Sequence, residues 1–254
     1  MSVAVIAGTG LQGLLEGRNL ETVATAYGDV LVCRQQAGRR TVFVLPRHGP
    51  GHRVPPHRIN YRANVSALQQ LGCRAVVATN AVGSLRPELG VGSLVLPDQF
   101  IDMTRQRALT FFDGEDGRVV HTDVTAPYCP NLCRAVRQGL AVHGLTSHDG
   151  ATYLCTEGPR FETPAEIRMF VRWGADLVGM TGVPEVVLAR EAGLCYASVC
   201  VVTNLAAGLA AGPLDENDIS ATASACFATL GTALADLAAH LPDPWPCCCG
   251  TRGE

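Results

Sequence analysis

One stretch near the start of the chain decides the fold class: Val3-Ala4-Val5-Ile6-Ala7-Gly8-Thr9-Gly10-Leu11-Gln12-Gly13. Its apolar half is long enough for a buried β-strand, and its glycine-rich half predicts a tight turn directly after that strand. The three glycines fit the G-x-G-x-x-G pattern of dinucleotide-binding folds, but that pattern needs a long helix next and a strand ending in an acid about 20 residues later. Neither follows here. We expect instead a turn whose backbone N–H groups and Thr9 hydroxyl suit a single phosphate, with an ordinary turn as the alternative.

Beyond this stretch, short β-rich runs alternate with helix-like segments along the whole chain, which is typical of α/β architecture. The predicted strands are Val3–Ala7, Val30–Arg34, Thr41–Pro46, Ala75–Thr79, Ser93–Leu96, Ala151–Thr156, Leu177–Met180 and Tyr196–Thr203. The predicted helices are Arg58–Leu71, Asn131–His143, Thr163–Trp173, Val183–Ala192 and Asp215–Leu241. The sequence has no internal repeat, low-complexity linker or charge run. We therefore expect a single domain over residues 1–241 and a loose Pro- and Cys-rich tail over residues 242–254.

The composition excludes several classes of function. With 254 residues, 47% of them hydrophobic and 17% charged, the chain can bury a large core. A net charge of -3 gives no electrostatic reason to expect a nucleic acid or a membrane as partner. No apolar run approaches the ~18 residues that cross a bilayer. All 20 basic residues are arginine, so no lysine is present to form a Schiff base.

Eleven cysteines are present, and most lie inside apolar strand-like runs, as Cys73 and Cys200 do. We interpret them as small buried side chains of a protein in the reducing cytoplasm. Cys129 and Cys133 have no second pair at metal-binding spacing. The three adjacent cysteines 247–249 cannot easily turn their sulfurs toward one tetrahedral ion. We therefore expect no metal site.

Two further loops that suit phosphate follow predicted strands. Arg47-His48-Gly49 places a guanidinium at a strand end, and its planar fork of donors matches phosphate oxygens, although the triplet alone is as consistent with a surface ion pair. Thr79-Asn80-Ala81-Val82-Gly83 follows another buried strand and ends in a glycine that permits a tight turn. Because sites in α/β proteins form in loops at strand ends, the three loops together predict a phosphate site.

Six motifs occur in a fixed order along the chain. They are Gly8-Thr9-Gly10, Arg47-His48-Gly49, Asn60-Tyr61-Arg62-Ala63-Asn64, Asn80-Ala81-Val82-Gly83, Glu157-Gly158-Pro159-Arg160-Phe161-Glu162-Thr163 and Gly179-Met180-Thr181-Gly182-Val183-Pro184-Glu185. Together they resemble the family of trimeric purine nucleoside phosphorylases and methylthioadenosine phosphorylases, and the similarity covers about residues 3 to 240. The resemblance implies one domain with a mixed central β-sheet flanked by helices. It also implies cleavage of a purine nucleoside with inorganic phosphate as co-substrate, no cofactor, and a homotrimer.

The resemblance further implies roles for single residues. The phosphate ligands would be Thr9, Arg47, His48, the Ala81 amide and Thr181. The nucleoside ligands would be Asn80, Phe161 against the purine, Met180 against the ribose, His121 from a neighbouring subunit, and Glu216 near the 5' position. Without the family, His121 is interpreted as a surface histidine.

Glu162 and Asn204 carry the choice of base and the catalytic roles. They are the pair found in the 6-oxopurine enzymes that this chain resembles, whereas the 6-aminopurine enzymes have serine and aspartate there. A 6-oxopurine presents N1–H as a donor and O6 as an acceptor, which a carboxylate and an amide N–H match. In direct displacement through an oxocarbenium-like transition state, the Asn204 amide would also stabilise negative charge on the leaving purine. The alternative is a helix-start acid and a turn residue without these roles.

The group at the 5' position is harder to assign. The stretch His52-Arg53-Val54-Pro55-Pro56-His57-Arg58-Ile59-Asn60 is most similar to the methylthioinosine branch of the family, and Leu205, Leu209 and Leu214 are candidates for an apolar 5' pocket. Glu216 matches neither the histidine of ordinary purine nucleoside phosphorylases nor the apolar residue of methylthio enzymes. We expect methylthioinosine as substrate, inosine or guanosine as the runner-up, and methylthioadenosine after these. A catalytically silent nucleoside-binding protein is the non-enzymatic alternative.

Overall fold

An eleven-stranded mixed β-sheet forms the centre of the protein in the computed structural model. The structure describes residues 1–11, 15, 17–115, 117–210, 212, 214–247 and 249, without the side chains of residues 216, 218 and 228. The strands are β1 (Ser2–Ala7), β2 (Leu20–Val23), β3 (Val30–Ala37), β4 (Arg40–Pro46), β5 (Cys73–Ser84), β6 (Leu94–Leu96), β7 (Gln99–Met103), β8 (Ser147–Asp149), β9 (Thr152–Thr156), β10 (Leu177–Gly179) and β11 (Cys195–Leu205). The helices are α1 (Tyr61–Gln70), α2 (Pro130–Val142), α3 (Pro164–Arg172), α4 (Gly182–Glu191) and α5 (Glu216–His240), and short 3-10 turns lie at Pro50–His52 and Pro56–Arg58.

Parallel strands occupy the middle of the sheet. β1 lies between β4 and β5 and pairs with both in parallel, and β5 also pairs in parallel with β11. The direction then changes, because β10 runs antiparallel to β5 while β9 is parallel to both β10 and β7. The register places Ala7 at the end of β1 beside Pro46 at the end of β4. The segments that begin at Gly8 and Arg47 therefore leave the sheet side by side.

All eight predicted strands and all five predicted helices are present, and most of their ends lie within a few residues of the predicted ones. The largest difference is in β5, which continues past Thr79 to Ser84, so Asn80–Gly83 lie in a strand and not in a loop. The pattern does not predict β2, β7 and β8. These strands are short and only partly buried, so they lack the apolar runs by which buried strands are found.

Helices cover both faces of the sheet. α1 and α4 pack on one face around Leu68 and Leu188, and α2 and α5 pack on the other around Leu132 and Phe227. Successive residues of β1 alternate between these two cores, as neighbouring side chains of a strand do. No single helix in the described part of the chain is long and apolar enough to cross a membrane; two segments of α5 that meet at 43° pass that test only when joined.

The start of α3 has the local structure that its sequence predicts. The Thr163 hydroxyl accepts a hydrogen bond from the Glu166 backbone N–H, and the Glu166 carboxylate accepts one from the Thr163 N–H. Pro164 occupies the first turn, where its missing N–H costs nothing. This reciprocal capping fixes the position at which the chain leaves Phe161 and Glu162 and enters the helix.

Part of the C-terminal tail makes defined contacts. The amino group of Met1 bonds to the Asp243 carboxylate, the Asn131 amide donates to the Pro246 carbonyl at 2.9 Å, and Trp245 packs against the core under α2 and α5. We expected a loose tail, but this segment packs on the core, because Trp245 buries apolar surface there. Residues 248 and 250–254 lie outside the described part, and the division into 1–241 and 242–254 stays a prediction.

Candidate active site

A cavity of about 620 Å³ opens beside the ends of β1, β4 and β11. Nine of the twelve predicted site residues line it: Thr9, Arg47, His48, Ala81, Phe161, Glu162, Met180, Thr181 and Asn204. The sequence therefore brings together residues that are up to 195 positions apart along the chain. Because the three predicted loops and the Phe161–Glu162 segment share one cavity, phosphate-suited and base-suited groups face a common space.

Arg47 is buried and held at three points. Its Nε and one Nη donate to the Glu185 carboxylate at 2.8 and 2.6 Å, and its other Nη donates to the Thr79 carbonyl at 2.7 Å. Both charged side chains of this ion pair are 0% exposed. Burial by itself lowers the pKa of the guanidinium, but the Glu185 carboxylate more than offsets it, so the net pKa is raised. The three bonds leave two of the five N–H groups of an arginine for a ligand.

The turn after β1 requires glycine at Gly8 and Gly10. A Cβ on Gly8 would lie 2.5 Å from the Thr79 carbonyl oxygen and 2.9 Å from an Arg47 Nη atom, closer than atoms can approach without displacement. Gly10 has φ of 90°, in the left-handed region that favours glycine, and its Cβ would lie 2.4 Å from Phe227. The glycine pattern thus reflects close packing of backbone against Arg47 and α5, and this packing places Thr9 on the cavity wall.

His48 is a neutral imidazole. Its Nδ1 lies 2.8 Å from the Val54 carbonyl, and its ring stacks on that of His52 with centroids 4.2 Å apart. Desolvation by burial, then the positive charge of Arg47 and the neighbouring His52, lower the pKa of His48 to about 3. Since a carbonyl only accepts hydrogen bonds, Nδ1 carries the proton, and Nε2 of the neutral ring is an acceptor.

Thr181 and Asn80 are bonded to each other, but only the first of them lines the cavity. Thr181 lines the cavity, and its hydroxyl donates to the Asn80 side-chain oxygen at 2.7 Å. Asn80 is 2% exposed, does not line the cavity, and donates in turn to the Ser198 hydroxyl at 2.7 Å. In this structure Asn80, which we expected to contact the nucleoside, supports Thr181 from below. The backbone N–H of Thr181 donates to the Tyr153 hydroxyl at 3.2 Å.

Phe161, Glu162 and Asn204, which we expected to contact the base, also line the cavity. Glu162 is buried, and its carboxylate accepts a hydrogen bond of 2.7 Å from the Thr156 hydroxyl. Desolvation raises the pKa of Glu162 above its ordinary value even though the Thr156 bond opposes the shift. The Asn204 Nδ2 donates to the Leu205 carbonyl at 2.9 Å, and its Oδ1 accepts from Thr203 at 3.0 Å. One Asn204 N–H thus remains for a ligand.

The remaining predicted residues fall in three different places. Of the leucines predicted for an apolar 5' pocket, Leu214 lines the cavity, together with Ile219, whereas Leu205 and Leu209 do not. His121 is exposed and lies outside this cavity, on the segment between β7 and α2. The side chain of Glu216 lies outside the described part of the structure.

Sequence reasoning missed three residues that hold the site together. Glu185 was quoted only as the end of a motif, Thr156 only as the end of a strand, and Ser198 only as part of β11. Each forms a direct hydrogen bond with a predicted site residue: Glu185 with Arg47, Thr156 with Glu162, and Ser198 with Asn80. A buried arginine requires an acidic partner, so the apolar run of residues 42–46 directly before Arg47 was the one sign that pointed to Glu185.

Nearly the whole chain is similar to one family of known proteins. The family model described as the phosphorylase superfamily matches residues 2–239. A probable 6-oxopurine nucleoside phosphorylase from Dictyoglomus turgidum is 50% identical over 221 residues, which cover 86% of this chain and 84% of that protein. A probable S-methyl-5'-thioinosine phosphorylase from Methanopyrus kandleri is 54% identical over 209 residues, which cover 82% and 80% of the two chains.

A solved structure has the same fold. Methylthioadenosine phosphorylase from Schistosoma mansoni, in complex with tubercidin, superimposes with a TM-score of 0.87 at 31% identity, over 94% of this chain and 91% of that one. This agreement, together with the observed topology, confirms the predicted α/β fold with a mixed central sheet and flanking helices.

Proposed function

We propose, from the premise that this chain belongs to the phosphorylase superfamily, that it catalyses the phosphorolysis of 6-oxopurine nucleosides. The observation that carries the proposal is that Arg47, His48 and Thr181 line the same cavity as Glu162 and Asn204. The first three suit a phosphate and the last two suit a 6-oxopurine. The names of both relatives described above agree with this base. The enzyme is a pentosyltransferase, since a ribosyl group passes from a purine to phosphate.

The reaction is a direct displacement at the anomeric carbon of the ribose. The C–N glycosidic bond breaks with its electron pair leaving on the purine, and a phosphate oxygen forms the new C–O bond. The sugar is cation-like at the transition state, so phosphate held on one side stabilises it while the base leaves from the other. Binding phosphate and nucleoside in line supplies the positional share of the rate enhancement.

The phosphate end combines a fixed cation with a neutral acceptor. Arg47 keeps two N–H groups for phosphate oxygens while Glu185 holds its guanidinium in place. The Nε2 of His48 accepts a hydrogen bond, so the bound phosphate must present a hydroxyl to it and therefore carries at least one proton. The pKa of His48, lowered to about 3 by burial and by Arg47, keeps the imidazole neutral in the site before phosphate binds.

The base end selects a purine with N1–H and O6. The Glu162 carboxylate accepts from N1–H, and the remaining Asn204 N–H donates to the O6 and N7 side of the ring, where negative charge develops as the base leaves. A 6-aminopurine reverses both polarities. It would leave two buried groups unpaired at about 1–3 kcal/mol each.

We propose a methylthio group, rather than a hydroxyl, at the 5' position of the preferred substrate. Leu214 and Ile219 line the cavity with apolar side chains. Such a surface suits an S-methyl group. Burial of that group supplies roughly 1–3 kcal/mol, so methylthioinosine is expected to exceed inosine in kcat/KM by about 10- to 200-fold. Equal or faster turnover of inosine or guanosine would assign the hydroxyl substrate instead.

We also propose a homotrimer in which His121 completes a neighbouring subunit's nucleoside site. The family resemblance supports this, as does the exposure of His121 beside two exposed valines, Val119 at 79% and Val120 at 43%. Substitution His121→Ala is expected to raise the KM for nucleoside while the KM for phosphate changes little. A molar mass of one chain by light scattering, in a sample with full activity, would contradict the trimer.

The experiment that tests the proposed reaction is the phosphate dependence of base release. Methylthioinosine is incubated with the enzyme in phosphate buffer and in a phosphate-free buffer of equal ionic strength, and hypoxanthine and the sugar product are separated and measured. We expect hypoxanthine only with phosphate, in equal amount to 5-methylthioribose 1-phosphate. Equal release without phosphate would identify a hydrolase, and no release in either buffer would identify a binding protein.

A further inference from the structure

Four cysteine sulfurs converge at a place separate from the nucleoside cavity. The Sγ atoms of Cys129, Cys195, Cys247 and Cys249 all lie within 4.8 Å of one another. None of the four residues lines the nucleoside cavity. The sequence does not predict this cluster, because its members come from three distant parts of the chain.

Two of the four cysteines are fixed by the core. Cys129 caps the start of α2, and its backbone N–H donates to the Tyr196 carbonyl at 2.8 Å. Cys195 is the first residue of β11 and pairs with Ala75 of the central strand β5. Both cysteines are 2% exposed. Their sulfurs therefore form a rigid, buried half of the cluster.

The tail brings the other two cysteines to this half. The Asn131 amide, on α2 just after Cys129, bonds to the Pro246 carbonyl at 2.9 Å, and Cys247 bonds through its N–H to the Trp245 carbonyl at 2.9 Å. The Cys247 sulfur lies 3.4 Å from that of Cys129 and 3.2 Å from that of Cys249. These separations exceed the ~2.05 Å of a disulfide bond, and all four cysteines are free.

Three N–H groups point at sulfurs of the cluster. The Leu132 backbone N–H donates to Cys129 Sγ at 3.4 Å, the Trp245 indole Nε1–H to Cys195 Sγ at 3.2 Å, and the Cys249 backbone N–H to Cys247 Sγ at 3.5 Å. Hydrogen bonds of this kind, from groups around a site to its sulfur ligands, orient them and stabilise their negative charge. These N–H groups can therefore orient the sulfurs and donate to them when they bind a metal.

We propose that Cys129, Cys195, Cys247 and Cys249 bind one Zn²⁺ ion in a tetrahedral structural site that fastens the C-terminal tail to the core. With Zn–S bonds of about 2.3 Å, the sulfurs of such a site lie about 3.8 Å apart, which the observed cluster approaches. A set of four sulfurs is typical of zinc or iron, and sulfurs this close do not enclose a cluster of several irons. Binding displaces four thiol protons and leaves a complex of charge about −2.

The first test is metal content. The full chain is produced with zinc in the medium, purified under reducing conditions without chelator, and analysed by mass spectrometry for metals. We expect about one zinc per chain. Absence of zinc, iron in its place, or disulfide bonds among the four cysteines in peptide maps of the unreduced protein would each overturn the proposal.

Two variants separate the site from other thiols. Cys247→Ser together with Cys249→Ser is expected to abolish stoichiometric zinc, since loss of direct ligands costs more than the ~10–100-fold in affinity that follows loss of an outer partner. The matched control is Cys226→Ser, a partly buried cysteine of α5 outside the cluster, which should keep its zinc. Equal zinc in the double variant and the wild type would contradict the assignment.

Two measurements on the wild type need no variant. Replacement of zinc by Co²⁺ should give the charge-transfer and d–d absorption bands of tetrahedral cobalt thiolate, and their absence would count against the site. Removal of the metal by a chelator in reductant should lower the melting temperature, and Zn²⁺ but not Mg²⁺ should restore it. Phosphorolysis below the melting temperature should change by less than about twofold in the double variant, so the metal site and the proposed reaction can fail independently.

Discussion

The phosphate end and the base end of the cavity satisfy their polar side chains in different ways. At the phosphate end, Arg47 and Glu185 are both 0% exposed and joined by two hydrogen bonds. At the base end, Glu162 has one side-chain bond, from Thr156, and its pKa is raised by desolvation. At the phosphate end the charged partner of Arg47 is in place before any substrate binds, whereas the bonded partner of Glu162 is a neutral hydroxyl.

The difference separates two kinds of contribution. The ion pair of a buried charge forms when the protein folds. A change to the pair at Arg47 therefore affects the stability of the fold as well as phosphate binding. A buried group with unused capacity gains its partner from the substrate, so a change there affects which base is accepted. Variants at the two ends should therefore differ in kind and in size.

The largest effect is expected for Glu185→Gln. It leaves the Arg47 charge buried without its counter-ion, which costs about 3–5 kcal/mol of the free energy of unfolding. Denaturant unfolding measures the loss. The matched control is Glu166→Gln. Arg160 also donates two hydrogen bonds, of 2.7 and 2.8 Å, to the Glu166 carboxylate, but this pair lies at the surface. Glutamine keeps the helix cap there, and an exposed pair contributes about 0–1 kcal/mol. Similar losses in the two variants would show that burial does not distinguish the pairs.

The next effect is expected for Asn204→Asp at the base end. The new carboxylate accepts from a 6-amino group and repels O6, so the preference for 6-oxopurines should shrink by about 1–3 kcal/mol, or roughly 5- to 150-fold in the ratio of kcat/KM values. The exposed Asn19→Asp makes the same charge change away from the cavity and should leave the ratio unaltered. An unchanged ratio in Asn204→Asp would place this residue outside base recognition.

The smallest effect is expected for Thr156→Val, which removes the hydroxyl that bonds Glu162. Loss of one such bond should lower kcat/KM for a 6-oxopurine nucleoside by about 0.5–1.5 kcal/mol, or two- to twelvefold. The activity needs the Glu162 carboxylate, so it is lost as the pH falls through the raised pKa of that group. Without the donor from Thr156 the pKa rises further, and the acid limb of the pH profile should move to higher pH. Thr156→Ser keeps the hydroxyl and should restore the profile; if both variants behave alike, the bond has no such role.

The parts of the fold that the sequence predicts are those with strong local patterns. β1, β4 and β11 are continuous apolar runs, and Thr163 begins α3 with a capping pattern that the structure contains. β7 and β8 lack such runs because their side chains are half exposed. Their positions depend on pairing with β9 and β6, which is not a local property.

The candidate site divides in the same way. Arg47 and Glu162 could be found because they stand in motifs of known order, and Asn204 because the 6-oxopurine enzymes that this chain resembles have the same residue there; all three line the cavity. Asn80 was assigned to the nucleoside from the family resemblance, but β5 continues through it, and its side chain bonds to Ser198. Glu185 and the four-cysteine cluster escaped because their partners are brought close only by folding.

The central claim, that the base end is built for a 6-oxopurine, is tested most directly by the wild-type enzyme and two substrates that differ only in the base. kcat/KM is measured in phosphate for methylthioinosine and for methylthioadenosine, with release of hypoxanthine or adenine followed. Mispairing of both Glu162 and Asn204 should cost the 6-amino substrate about 2–6 kcal/mol, so methylthioinosine should be preferred by roughly one to four orders of magnitude. Equal values for the two substrates, or a preference for methylthioadenosine, would contradict the claim.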